Sequence, residues 1–107
     1  MAISNKPWGL ISESDYAGAD QFCAACLIDL NPPGQEKTKG NCKLPVKEPG
    51  GALNRNGVHA AAAALAGARG GVDAPPGEKR KAARKLVRLY GELNEDPPES
   101  IKRLAGI

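Results

Sequence analysis

The chain has 107 residues, with 15 Lys and Arg against 12 Asp and Glu, a formal net charge of +3. Aromatic residues make up only 4%, and nine prolines and thirteen glycines interrupt the apolar stretches, so a thick buried core is excluded. No stretch is long and apolar enough for a membrane span, since the alanine run at 60–64 is bounded by Arg55 and Arg69.

These bounds predict one small, mainly α domain over 1–107, with three or four helices joined by Pro/Gly-rich loops and irregular ends at 1–13 and 105–107. The N-terminus has no apolar leader region. A soluble chain made in a reducing compartment is expected, where cysteines bind metal or stay inert more often than they form disulfides.

In chain order, Trp8 reads as an anchor in an irregular opening segment. Ser14 or Asp15 can cap a first helix running to about Leu30, with Phe22, Cys26 and Leu27 on one face and Cys23 beside Cys26 at i, i+3. Asn31-Pro32-Pro33-Gly34 stops it, and residues 35–41 form a polar loop. The prolines at 45 and 49 make the segment from Cys42 extended rather than a central strand.

Asn54 or Asn56 can cap a second helix through about Ala68, ending at Gly70-Gly71. Its packing stripe is Val58, Ala61, Ala62 and Leu65, with His59 to one side. Asp73 and Pro75-Pro76 open a third helix, Glu78 to about Leu93. Ala82, Leu86, Leu89, Tyr90 and Leu93 give it the cleanest amphipathic pattern in the chain. Pro97-Pro98-Glu99 starts a short last helix through Leu104.

Two constellations carry possible chemistry. Cys23, Cys26, Cys42 and His59 are all the Cys and His the chain has. Three thiolates and one imidazole would close a tetrahedral structural zinc site and leave no open position for catalysis. The other readings are buried apolar cysteines with a hydrogen-bonded histidine, or a Cys23–Cys42 or Cys26–Cys42 disulfide. The second constellation is the cationic face of the third helix, Arg80, Lys81, Arg84, Lys85 and Arg88. It can meet phosphates without reading sequence, or lie solvated opposite the apolar stripe. No nucleophile elbow or phosphate-binding loop is present, and the Gly-Gly pairs fall at helix boundaries. A non-enzymatic protein is expected.

The stretch from Cys42-Lys43-Leu44-Pro45-Val46 to Val58-His59-Ala60-Ala61, and the helix from Lys81 to Tyr90, resemble a small helical domain of tailed bacteriophages. That domain belongs to the head-gene region, especially in phages of actinobacteria, alone or attached to capsid-maturation protease and related head proteins. Trp8, Tyr16, Phe22 and Cys26-Leu27-Ile28-Asp29 extend the resemblance over roughly residues 8–104. The family's Leu-Pro-Val segment matches Leu44-Pro45-Val46, and its Asn-x-x-x-x-His helix start matches Asn54 and His59. The resemblance implies a structural or capping role for His59. It also implies a binding protein of head assembly, in the host cytoplasm or on the virion, whose partner is a phage head or capsid protein. Protease activity does not transfer, because the catalytic domain is absent from this chain. The alternative from the residues alone is a small basic DNA- or RNA-binding regulator using the third helix.

Overall fold

In the computed structural model, residues 2–67 and 71–107 are described. They carry four α-helices, α1 (Ala19–Ala24), α2 (Arg55–Leu65), α3 (Pro76–Glu92) and α4 (Glu99–Ala105). They also carry four short strands, β1 (Ile3–Ser4), β2 (Cys26–Asp29), β3 (Cys42–Pro45) and β4 (Leu53–Asn54). The residues expected to form a single domain fall into two compact units, Met1–Gly57 and Val58–Ile107. Helix dominates the second unit, as expected, whereas the first mixes short helix with strand.

In the first unit the expected long helix is corrected. It is only α1, six residues long, after which the chain extends as β2. β2 pairs antiparallel with β3, in the register Cys26↔Pro45, Ile28↔Lys43 and Asp29↔Cys42. Further bonds from Val46 N–H to Ala25 O and from Leu30 N–H to Asn41 O lengthen the ladder at both ends. A six-residue helix has little stability of its own, so this non-local pairing decides what residues 26–29 become. Leu44, within β3, takes a left-handed φ of +63°. That costs about 1–2 kcal/mol for a residue with a Cβ, and the ladder on either side holds it. One core cluster here is Tyr16, Phe22, Cys23, Ala25 and Cys42, with Ile11 and Cys26 packed against it, and Leu27, Ile28, Val46 and Leu53 are buried as well. Tyr16 meets Phe22 edge-on at 5.1 Å.

The N-terminal segment, expected to be irregular, is pinned. β1 runs parallel to β4 in the register Ile3↔Leu53 and Ser4↔Asn54. Asn54 is fully buried and satisfied on three sides. Its Nδ2 donates to Lys6 O at 3.0 Å and to Glu48 Oε2 at 2.8 Å, and its Oδ1 accepts from Gly57 N–H at 2.7 Å. The last of these is the N-cap bond of α2, so of the two expected caps Asn54 is the one used. Asn56 instead donates its side-chain amide to the carbonyls of Asn5 and Lys6. Gly57 lies flat under the Trp8 ring, where an added Cβ would meet ring carbons at 3.1 Å.

The second unit follows its sequence pattern closely. Val58, Ala61, Ala62 and Leu65 of α2 are buried, one apolar stripe at i, i+3, i+4, i+7. α2 ends at Leu65, and the expected stop at Ala68 and Gly70 lies outside the described residues. α3 starts at Pro76, a residue whose fixed φ suits the first helical position. It buries Ala82, Ala83, Leu86 and Tyr90, and Leu93 just beyond it is buried as well. α3 packs on α4, which contributes Ile101 and Ala105. Asn94, at φ +58°, closes α3, with Glu95 N–H bonded to Tyr90 O and Asn94 N–H to Gly91 O. This is the left-handed C-terminal motif that asparagine tolerates best after glycine. Gly106, at φ +83°, closes α4 in the same way.

Candidate functional site

The cysteine expectation is resolved by bonding. Cys23, on α1, and Cys42, opening β3, form a disulfide across 19 residues of chain. Neither sulfur is then a thiolate, the form in which a cysteine ligates zinc. With this disulfide formed, the expected set of Cys23, Cys26, Cys42 and His59 is not assembled as a zinc site in this structure. Cys26 is the free cysteine, half-buried on β2. Burial first, then the charges of Glu13 and Asp29, pushes its thiol up to about 12 from 9.0. It therefore stays protonated at neutral pH and is a poor nucleophile. His59 Nε2 is bonded to Glu95 instead.

Among the described residues, Cys23, Cys42 and Asp29 bring their ligand atoms within 4.8 Å of one another, close enough to share a metal ion if the two sulfurs were free thiolates. Sequence reading passed over Asp29, at the end of β2, and Asn31, two residues on. Asn31 N–H donates to Asp29 Oδ1 at 2.9 Å, an Asx turn before Pro32-Pro33. The Asp-x-Asn-Pro-Pro-Gly string was the available signal. Asn31 Oδ1 accepts from Thr38 N–H at 2.8 Å and from Asn41 Nδ2 at 3.3 Å, folding the polar loop back on itself. Its Nδ2 faces Asp29 Oδ1 at 2.7 Å, Cys42 Sγ at 3.2 Å, Thr38 O at 3.4 Å and Cys23 Sγ at 3.5 Å. Lys37 pairs with the other oxygen of Asp29. Its hydrogen bond, followed by that of the Asn31 backbone, holds the carboxyl down at about 2 from an ordinary 3.8.

In the second unit His59 lies on α2, with Nε2 2.7 Å from Glu95 Oε1 and its ring stacked on Tyr90 at 5.8 Å. The C-terminal motif of α3 is what delivers Glu95 to this point. Burial, with a smaller contribution from Glu95, raises the Tyr90 hydroxyl above its ordinary value. The histidine thus bridges α2 to Glu95, just beyond the end of α3.

Arg80, Lys81, Arg84, Lys85 and Arg88 are all exposed on α3, opposite its buried face. From Arg80 to Arg88 the row runs roughly 12 Å at 1.5 Å per residue. Its members differ. Lys81 pairs with Glu78 at 3.6 Å, and Arg84 Nε donates to Ala105 O at 3.2 Å, capping α4. Lys85 is engaged as well, whereas Arg80 and Arg88 make no ion pair among the described residues. Elsewhere in this unit, an open hollow of ≈ 430 Å³ is lined by Leu65, Ala66, Ser100, Arg103 and Leu104. Among the described residues, no helix is long and apolar enough to cross a membrane.

No protein-family model, no curated protein and no solved structure matches the chain.

Proposed function

We propose that this chain is a non-enzymatic binding protein that docks on an acidic surface of a phage head or capsid protein, during assembly or on the finished shell. The observation that carries the docking reading is the cationic row of α3. Five cations stand exposed on a helix whose other face is buried, and two of them, Arg80 and Arg88, are not committed to ion pairs among the described residues. The assignment to a phage head rests on the resemblance of residues 8–104. Opposite charge across an interface sets encounter rate and orientation more than raw affinity, so the fit predicts fast, salt-sensitive association. A head component is made in the host cytoplasm and then leaves it with the virion.

The same row favours one other reading, a regulator that holds DNA or RNA through phosphate contacts. The two part in one experiment. The protein is sedimented with assembled shells and, separately, titrated with duplex DNA over a range of salt. Docking predicts co-sedimentation that an Arg80→Glu/Arg88→Glu variant weakens, with only feeble duplex binding. Protein left free in the supernatant with intact shells, together with tight duplex binding on a steep salt slope, would overturn docking in favour of the regulator. Arg84 is unsuitable for this test, because its bond to α4 makes any loss ambiguous.

A further inference from the structure

An amide NH2 has two hydrogens to give. The Asn31 amide nitrogen faces four electron-rich atoms within 3.5 Å, Asp29 Oδ1, Cys42 Sγ, Thr38 O and Cys23 Sγ. Two hydrogens cannot serve all four at once, so sulfur and carbonyl lone pairs are left over that a cation could take, while Lys37 already pairs with the other oxygen of Asp29. Two sulfurs and a carboxylate oxygen are also the donor types that zinc takes. While the Cys23–Cys42 bond is intact, the sulfurs are weak neutral acceptors and the amide suffices for them.

We propose that this cluster is a redox-gated site for a soft divalent cation such as Zn2+, closed by the disulfide and opened by its reduction. A dithiol reductant supplies the two electrons. Its own thiols join in a disulfide, the Cys23–Cys42 bond breaks, and two protons pass to the freed sulfurs. The cation then displaces those two protons and is held by Cys23, Cys42 and Asp29. The Thr38 carbonyl, 3.8 Å from Cys23 Sγ, would supply a fourth donor once the Asn31 amide has rotated out of the way. Cys26 and His59 are not ligands. The site is thus a staple for residues 23–42 in either redox state, covalent in one and metallic in the other. It does not depend on the docking reading, and a failure to bind shells leaves it untouched.

The test is a Co2+ titration of the whole chain, oxidised and after reduction with a phosphine, which competes for metal far less than a dithiol. The reduced chain is expected to bind one Co2+ with a thiolate-to-cobalt absorption band, and the oxidised chain to show none. Asp29→Asn should weaken binding at least about tenfold, while Cys26→Ser and His59→Ala leave it unchanged. Equal binding by the oxidised chain, or none by the reduced chain, overturns the proposal. So does a titration in which Cys26→Ser or His59→Ala abolishes binding and Asp29→Asn does not. Should reduction unfold the first unit, added Zn2+ must restore its circular-dichroism spectrum, and a spectrum that stays unfolded overturns the proposal as well.

Discussion

The two halves of this chain hold their shape by different means. From Val58 onward, helices α3 and α4 bury Leu86, Tyr90, Leu93 and Ile101, and both end in the same left-handed closure, at Asn94 and Gly106. Up to Gly57 the longest helix has six residues, and three polar or covalent knots do much of the holding: the Cys23–Cys42 bond, the Asn31 loop and the Asn54 node. The contrast teaches where a substitution will hurt. Apolar truncation is the sharpest injury in the second unit, whereas in the first, cutting a cross-link or a buried amide stands beside the loss of Ile28 or Leu53, which are fully buried too.

The largest effect should come from Leu86→Ala. The side chain is fully buried, and loss of its packing should cost about 3–4 kcal/mol, read as a lowered denaturant midpoint by circular dichroism. A loss below about 1 kcal/mol would break the contrast from the helical side. Next is the disulfide. Reduction without metal, or a Cys23→Ser/Cys42→Ser pair, should cost about 3 kcal/mol for a loop of this length. Trp8, the only tryptophan, belongs to the first unit and reports this by fluorescence during unfolding. Asn54→Ala follows at about 2 kcal/mol, combining a lost helix cap with lost hydrogen bonds from a fully buried amide to Lys6 O and the half-buried Glu48 carboxylate. The same fluorescence midpoint checks it.

The acid response should be smaller. Asp29 has its folded-state pKa depressed from 3.8 to about 2. A depressed carboxyl adds stability above its ordinary value, and that contribution is lost as pH falls through the folded one. Unfolding followed by Trp8 should therefore grow easier between pH 3.8 and about 2, and Asp29→Asn should flatten that limb. The smallest effect is at Asn94, where Asn94→Ala should cost about 1 kcal/mol and Asn94→Gly almost nothing, by thermal melt.

The same division governs what could be read in advance. The i, i+4, i+7, i+8, i+11 face of α3 and the Pro-Glu start of α4 are local patterns, and the structure follows them except that Leu89 stays half-buried and Ala83 joins the buried face. The cap at Asn54 is also local, one residue before its helix. Residues 26–29 look helical on the same grounds, with Cys26 and Leu27 in phase with Phe22. They become a strand because β3, thirteen residues away at Asp29↔Cys42 and joined by a disulfide across 19 residues, is not visible to a local pattern. Cysteine spacing alone leaves the pairing open. Asn31 reads as a helix stop because its amide's partners are a carboxylate, a carbonyl and two sulfurs that only folding gathers. His59 drew attention as a ligand, yet its partner is Glu95, 36 residues on, placed there by the closure of α3.

The most direct test of this two-part account is residue-resolved amide hydrogen exchange on the oxidised chain and on the reduced, metal-free chain. The account predicts that protection in β2 and β3 collapses on reduction while the amides of α3 and α4 keep theirs. Equal loss in both units, or undiminished protection in β2 and β3, would contradict it.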